Sequence, residues 1–298
     1  MDGADRLQII LIAARWAHVA AACLMAGGPA MRLLAGPEQR TGRGAGARFG
    51  WLAAAAVALA SGVAWAAAQA GQMSGEPADA LRPAAVAEVL TGTAVGHVWI
   101  LRLAILAASL AIGLAPVGRR RLWLQAIVGI IALASLAWTG HGAADEGWRG
   151  GVHLASDAAH LAAAGLWLGA LPVLLSLAFG RPEPATSALA RFSGVGPALV
   201  AVLTATGLVN AWLLVGWRPL GALAASGYAR LLAIKLILFA AMLGLAAVNR
   251  LRLTAAVAED GEAALPLLRV SLAVETALGL GVLAVVAVLG LQAPPTSF

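Results

Sequence analysis

The residues best able to do chemistry lie together in one apolar stretch: His153, Asp157 and His160. Their spacings of four and three residues put all three side chains on one face of an α-helix. Imidazole and carboxylate groups arranged in this way can share a metal ion or pass a proton. The same spacing is also typical of a polar face at a helix end, whose histidines bond to loop carbonyl groups. We predict a metal site here and keep that structural interpretation as the alternative.

The other three histidines are separate candidates. His141 comes shortly before His153, across a short Gly-rich segment, and we expect it to add a ligand to the metal site. His97 stands at the start of an apolar segment and is either a further ligand or an interfacial residue. His18 lies about eleven residues into an apolar run, roughly 16 Å deep at 1.5 Å per residue. Polar groups at such a depth are costly and usually functional, so His18 is also a predicted ligand.

Two sulfur-containing residues share the segment of His18. Met25 lies seven residues after His18, on the same helix face, and Cys23 precedes it by two residues. Imidazole, thiolate and thioether groups are ligands suited to Cu(I). Methionine and cysteine in an apolar helix often only fill space, so both interpretations stay open for Cys23 and Met25.

Three charged residues inside apolar segments need partners: Arg15, Lys235 and Glu275. Counted from the segment ends, all three fall in one layer of a hydrocarbon core that is about 30 Å thick. Glu275 is the one carboxylate deep in such a segment. We therefore predict that it pairs with Lys235 or Arg15 in an intramembrane charge network. That network either fixes the helix register or takes part in proton coupling.

These residues stand in a very apolar chain. Of 298 residues, 61% are hydrophobic and 11% are charged, whereas a soluble domain has about 45–50% and about 25%. No single water-soluble core can hide that much apolar surface, and a disordered chain is excluded by the same numbers. A single cysteine excludes a disulfide-stapled scaffold.

Apolar runs of about 20 residues predict transmembrane helices. Eight such runs are present, and they read as α-helices because they lack the alternation of barrel strands. The sequence therefore predicts an all-α, polytopic membrane helix bundle in a single domain, residues 1–298, without a sizeable soluble domain. The predicted spans are 7–34, 49–70, 97–115, 122–139, 153–179, 194–216, 228–249 and 267–291. The connection 71–96 is predicted to contain a short helix over 79–90, and 250–266 is predicted to be a solvated linker.

The basic residues give the orientation. With eight spans, twelve Lys or Arg fall on one side, five on the other and three within spans. The positive-inside rule makes the richer side cytoplasmic and places both termini outside, in the periplasm. The net charge of +6 is therefore an orientation signal, and no nucleic-acid partner is expected. Tryptophans near the span ends, among them Trp99 and Trp148, are predicted to form an aromatic belt.

Several functional motifs are missing from the sequence. Without a Gly-x4-Gly-Lys-Ser/Thr loop, the chain is not expected to hydrolyse nucleotides. Neither a Cys-x-x-Cys metal motif nor the Cys-Pro-Cys expected of a metal-pumping ATPase occurs. There is also no Cys-x-x-Cys-His motif for covalent haem. We expect a protein that is not an enzyme.

Many short motifs in order along the chain resemble the CopD (PcoD, copper resistance protein D) family of bacterial inner-membrane proteins. The resemblance covers nearly the whole chain and depends on the order and spacing of these motifs. They are Arg15-Trp-Ala-His18, Gly140-His141-Gly, His160-Leu-Ala-Ala-Ala-Gly-Leu-Trp167-Leu-Gly169-Ala-Leu-Pro172, Arg191-Phe192-Ser193, Thr206-Gly207-Leu-Val-Asn210, Tyr228 with Leu231-Leu-Ala-Ile-Lys235, and Asn249-Arg250.

The resemblance implies an inner-membrane protein that moves copper from the periplasm toward the cytoplasm. It also implies a CopC-type periplasmic copper carrier as partner. The family's His-rich outer entrance corresponds to His141, His153 and His160, and its first-span histidine to His18. This chain departs from the pattern at Asp157, where some relatives have histidine, which leaves Cu(I) and Cu(II) both open as the species bound.

Two other functions compete with copper transport. Facing histidines at one depth would hold haem b in a membrane cytochrome, with His18 and His97 or His141 and His160 as pairs to consider. Most of these histidines lie at helix ends, which fits haem less well. A copper-binding membrane protein that only docks a partner, without transport, is the other alternative.

Overall fold

A computed structural model describes residues 3–36, 44–116, 118–140, 147–216 and 226–293. All regular structure in these ranges is helical, and eight helices are long and apolar enough to cross a membrane. The all-α fold and the eight predicted spans are therefore confirmed. The α-helices are α1 (Gly3–Ala35), α2 (Gly44–Ser74), α3 (Pro83–Gly92), α4 (Ala94–Leu114), α5 (Arg119–Ala134), α6 (Gly147–Ala178), α7 (Pro182–Val215), α8 (Gly227–Val248), α9 (Thr254–Asp260) and α10 (Leu265–Leu289).

The helix boundaries differ most from the sequence prediction at two places. Helix α7 begins at Pro182, twelve residues before the predicted start at 194. Proline suits the first turn of a helix, and Glu183 there interacts favourably with the helix dipole, so the helix extends beyond its apolar part. The segment 250–266 is not a solvated linker: a π-helical turn, Asn249–Leu253, joins α8 directly to α9. Leu253 and Val257 keep it folded because both are buried against the core.

The connection between α2 and α4 matches its prediction closely. A 3₁₀ turn, Pro77–Leu81, and the short helix α3 occupy the region in which a helix over 79–90 was expected, and neither has a buried residue. A further 3₁₀ turn, Ser135–Thr139, extends α5.

Helix α1 is the centre of the bundle and packs against α2, α5 and α6. Glycines permit a very close approach of α1 and α6. A Cβ atom at Gly27 would lie 2.6 Å from the Gly165 carbonyl oxygen and 2.7 Å from the Gly169 Cα. Small residues at such crossings let backbones pack directly in lipid. The groups of α1 and α6 therefore hold fixed positions relative to one another.

We distinguish the two ends of the helix bundle. We name the end at which α1 begins and α10 ends face A, where Leu7, Gly71, Pro77 and Leu291 lie around one small cavity. The opposite end is face B.

At face B, arginines donate to the last carbonyl groups of helices, which have no partner within the helix. Three of these bonds join distant segments. They are Arg48 to the Leu114 oxygen (2.9 Å), Arg191 to the Leu34 oxygen (3.1 Å) and Arg269 to the Ala178 oxygen (2.8 Å).

Helices α7 and α8 are the least enclosed spans. Helix α7 packs mainly on α6, and α8 packs mainly on α10. Apolar cavities lie between α7 and α8, with α6 and α10 forming their floor. This part of the bundle contains most of the polar residues discussed below.

Candidate functional site

The polar face of α6 lines one cavity. His153, Asp157 and His160 lie on this helix and border a space of about 240 Å³ in the half of the bundle near face A. The same cavity is bordered by Arg15, Tyr228 and Lys235. We call it the histidine cavity. The predicted helix face is confirmed as a shared surface, and the three side chains are spread over about 10 Å of helix rise.

Asp157 is the electrostatic centre of the histidine cavity. Its Oδ1 atom accepts a hydrogen bond of 3.4 Å from the Asn210 Nδ2 of α7. His153 on the preceding turn and Lys235 on α8 are close enough to interact with its charge. The carboxylate therefore gives a cation in this cavity an attractive charge, and Lys235 partly balances it when the cavity is empty of cations.

The hydrogen bonds of His160 assign its tautomer. Thr206 donates its hydroxyl proton to the Val202 carbonyl (2.6 Å), so its Oγ1 must accept the 3.0 Å hydrogen bond from the His160 Nδ1. With the proton on Nδ1, the neutral imidazole keeps a lone pair on Nε2. A metal-binding histidine has this arrangement, in which the second nitrogen is held by a neighbouring oxygen.

His141 lies outside the described residues, so the full predicted ligand set is not seen together. Within the ranges that the structure describes, no three His, Cys, Asp or Glu side chains form a closed group around a metal position. The candidate ligands of the α6 face therefore follow one another along the helix and do not surround one point.

His18 occupies a separate, fully enclosed niche. Its Nδ1 donates to the Ala58 carbonyl over 2.8 Å, and its buried Nε2 has no hydrogen-bond partner within the described ranges. The rings of Trp65 and Trp99 pack edge-on against the imidazole, with centroids at 5.6 and 5.8 Å. Trp65 also borders the histidine cavity, so its ring contacts His18 on one side and lines that cavity as well.

Arg102 completes this niche, and its role was missed from the sequence. The guanidinium lies over the Trp99 ring at 4.3 Å, and its Nε donates to the Ser135 hydroxyl over 2.8 Å. Trp99 is 2% exposed and donates to the Gln69 side chain, so its assignment to an aromatic belt is wrong. Trp148, by contrast, is 70% exposed, as a belt residue should be. An arginine inside an apolar segment was the signal that could have revealed the niche.

The remaining predicted ligands are dispersed. Cys23 is buried but borders the histidine cavity. Met25 is fully buried and packs in the core between α1, α2 and α4. His97 is exposed and bonds to the Thr91 carbonyl at 3.0 Å, in the α3–α4 connection. The structure therefore places Cys23, but neither Met25 nor His97, beside the α6 face.

Glu275 does not pair with Lys235 or Arg15, so that prediction is wrong. Its Oε1 accepts from the Trp167 Nε1 (3.0 Å) and its Oε2 from the Asn249 Nδ2 (2.9 Å). Lys235 precedes Asn249 by about 20 Å of helix rise along α8. Arg15 donates to the Gly290 carbonyl (3.3 Å). Gly290 follows Glu275 by a similar length of helix rise, about 20 Å. Counting from predicted span ends placed the charges in one layer, whereas the extended helices separate them.

Two more cavities continue from the histidine cavity toward face B. The central chamber, about 240 Å³, is bordered by His160 and Lys235 at one end and by Trp167 at the other. The glutamate cavity, about 400 Å³, is bordered by Trp167, Asn249, Arg250 and Glu275. His160 belongs to the first two cavities and Trp167 to the last two. The three cavities therefore follow one another between the α6 face and Glu275.

Two family descriptions match the chain. Residues 5–152 match the copper resistance protein D-like N-terminal domain, and residues 186–289 match copper resistance protein D. The chain is 37% identical to Copper resistance protein D of Pseudomonas syringae pv. tomato, over 69% of this chain and 71% of the relative. It belongs to the copper resistance protein D family.

Other relatives place this CopD-family chain in the membrane. It is 31% identical to Inner membrane protein YebZ of Escherichia coli (strain K12), over 81% of this chain and 83% of the relative. It is 30% identical to Copper transport protein CutJ of Bacillus subtilis (strain 168), over 57% of this chain and 33% of that protein. No solved structure matches the chain. With its eight apolar helices, the CopD-family chain is a multi-pass inner-membrane protein related to copper resistance and transport.

Proposed function

We propose that this protein transports copper across the inner membrane, taking it up in the histidine cavity and passing it toward face B. The observation that carries the proposal is the α6 face, with His153, Asp157 and His160 bordering one cavity in a copper-resistance family protein. Nitrogen and carboxylate ligands suit Cu(II), and imidazole also binds Cu(I). His141 is the proposed fourth ligand.

The orientation belongs to the proposal. The positive-inside rule places face A in the periplasm, where it would meet a CopC-type copper carrier. Asp157 gives the entrance the negative charge that attracts a cation. The membrane potential, negative inside, would then favour inward movement by about 2.3 kcal/mol per charge per 100 mV.

The route proposed for the ion runs from the histidine cavity into the central chamber, because His160 borders both. Cys23 adds a sulfur ligand beside the histidine cavity. His18 stays behind Trp65, where its free Nε2 offers a side site for copper rather than a step on the route.

Uptake of isotopically enriched copper into proteoliposomes tests the proposal. The wild-type protein should fill the vesicles, and the triple variant His141→Ala, His153→Ala and His160→Ala should not. His97→Ala is the matched control, since His97 lies outside the cavity. Equal uptake by the wild type and the triple variant would refute the assignment of the site.

Metal analysis and an absorption spectrum of the purified protein separate the competing functions. Bound copper without a Soret band supports copper handling, whereas a Soret band proportional to protein would favour a haem b cytochrome. Copper binding without flux would favour the docking protein.

A further inference from the structure

Glu275 is a carboxylate enclosed in the membrane-spanning part of the protein, and among the described residues it has no cationic partner. It is 2% exposed and lies about 15 Å along α10 from its start at face B. The two groups that contact its oxygens, Trp167 and Asn249, are neutral N–H donors. An isolated buried negative charge is expensive, and a bound cation or a proton removes that expense.

The surroundings of Glu275 favour a proton over a metal ion. Four helices, α6, α7, α8 and α10, border the glutamate cavity, together with the π-helical turn after α8. Arg250 in that turn is the other charged group in the lining, and the described lining contains no other titratable side chain. Leucine, valine and alanine make up most of the rest. One carboxylate in an apolar cavity offers too few oxygen ligands for a hard cation and no sulfur or nitrogen lone pair for copper.

The side chain of Asn249 independently supports a proton at Glu275. It is also 2% exposed, and its buried Oδ1 accepts no hydrogen bond from any part of the chain that the structure describes. Its Nδ2 already donates to Glu275, so the free oxygen belongs to the amide group that contacts the carboxylate. A carboxylate has no proton to give to that oxygen, whereas a carboxylic acid has one. The backbone forms a π-helical turn from Asn249 onward. Such turns are often found at functional sites.

We propose that Glu275 is a proton-binding site, at which a proton taken from water on the face B side converts the carboxylate into a carboxylic acid. The new O–H bond donates to the Asn249 Oδ1, while the Asn249 Nδ2 and the Trp167 Nε1 continue to donate to Glu275. Release of the proton to water reverses the step and restores the carboxylate. The acid and the amide then form a paired hydrogen-bond arrangement that satisfies the orphaned oxygen.

The site is placed to communicate with the histidine cavity. Trp167 follows His160 by seven residues, two turns along the same face of α6, and both border the central chamber. Proton binding at Glu275 therefore changes a group that Trp167 contacts directly. Use of this proton to drive copper movement rests on the proposed function, but the proton site itself does not.

Infrared difference spectroscopy of the purified protein in lipid bilayers tests the site. Among the carboxylic-acid C=O bands that acidification produces, one should be missing from the spectrum of Glu275→Gln. Glu262→Gln, which alters a carboxylate in the turn between α9 and α10, should retain the band. The amide of Glu275→Gln can still accept from Trp167, so this variant preserves that contact. A band of equal intensity in Glu275→Gln would overturn the proposal.

A second variant keeps the test decisive if Glu275→Gln does not fold. Trp167→Phe retains the ring but removes a hydrogen bond that favours the charged carboxylate, so the proton affinity of Glu275 should rise about tenfold. The band should then persist to higher pH, and an unshifted titration would contradict the assignment. Copper uptake under an imposed pH gradient separates the two proposals. A titrating band in a protein that takes up no copper would refute transport and leave the proton site standing.

Discussion

Gly169→Ala tests the close packing of α1 against α6. A Cβ atom at Gly169 would press against the Cys23 carbonyl oxygen, and it would lie 2.7 Å from the Cys23 carbonyl carbon and 2.8 Å from the Gly27 Cα. Carbon atoms pack best at about 3.5–4.0 Å, so the two backbones must separate by roughly 1 Å. Backbone atoms cannot rotate away as the end of a side chain can.

The expected loss follows from that separation. Overpacking of a well-packed core costs about 1–3 kcal/mol, and the upper end applies because the contact is with backbone. For a domain of 150–250 residues, each kcal/mol shifts Tm by about 2–4 °C, so a loss of about 3 kcal/mol should lower Tm by roughly 6–12 °C. Thermal unfolding of the detergent-solubilised protein, followed by near-ultraviolet circular dichroism of its ten tryptophans, measures this.

Gly244→Ala is the matched control. Apart from its chain neighbours and the backbone of its own helical turns, no atom of the described residues lies within 4 Å of a Cβ placed at Gly244, which is inside α8. Alanine is favoured over glycine in a helix by about 1 kcal/mol, so this variant should be as stable as the wild type or more stable. Equal Tm values for Gly169→Ala and Gly244→Ala would refute the close crossing of α1 and α6.

Three further predictions concern single hydrogen-bonding groups. Thr206→Val removes the acceptor that holds the His160 Nδ1 proton, so copper affinity measured by chelator competition should fall by about tenfold; an unchanged affinity would contradict the assigned tautomer. Arg102→Lys keeps the charge but cannot reproduce both the contact with Ser135 and the stacking, so stability in denaturant titration should fall by about 2 kcal/mol. Wild-type stability of that variant would show that the niche tolerates any cation. Arg48→Ala removes an exposed helix cap and should cost only about 0.5–1 kcal/mol by the same titration; a loss several times larger would mean that Arg48 does more than cap.

The sequence was sufficient for the number and type of the membrane helices, because hydropathy over about 20 residues depends on composition and not on contacts. It was also sufficient for the shared α6 face, since His153, Asp157 and His160 follow helical spacing. It failed at the start of α7 and in the segment after α8, where helices continue beyond the apolar run. A hydropathy pattern marks where lipid contacts a helix and does not mark where the helix ends.

The partners of buried polar groups were harder to predict. Glu275 bonds to Trp167 and Asn249, which lie on two other elements, and the register between those elements is set by packing. Charge alone favoured Lys235 or Arg15, since the prediction counted residues from uncertain span ends. Trp99 was misassigned for a related reason: distance from a span end does not say which way a ring points. Neutral donors for a buried carboxylate have no sequence signature.

The arginines of face B have a consequence for the order of assembly. Arg191 reaches the end of α1, 157 residues earlier in the chain, and Arg269 reaches the end of α6, 91 residues earlier. When each of these helices enters the bilayer, its terminal carbonyl groups have no arginine donor yet, because that arginine belongs to a later segment of the chain. With the orientation that the charge distribution predicts, the same side chain first holds its own segment on the cytoplasmic side. It then donates a hydrogen bond, from the same side, to the end of a helix that was inserted earlier. Glutamine keeps an N–H donor for the carbonyl group but has no positive charge to orient its segment, so an Arg-to-Gln exchange would separate the two roles.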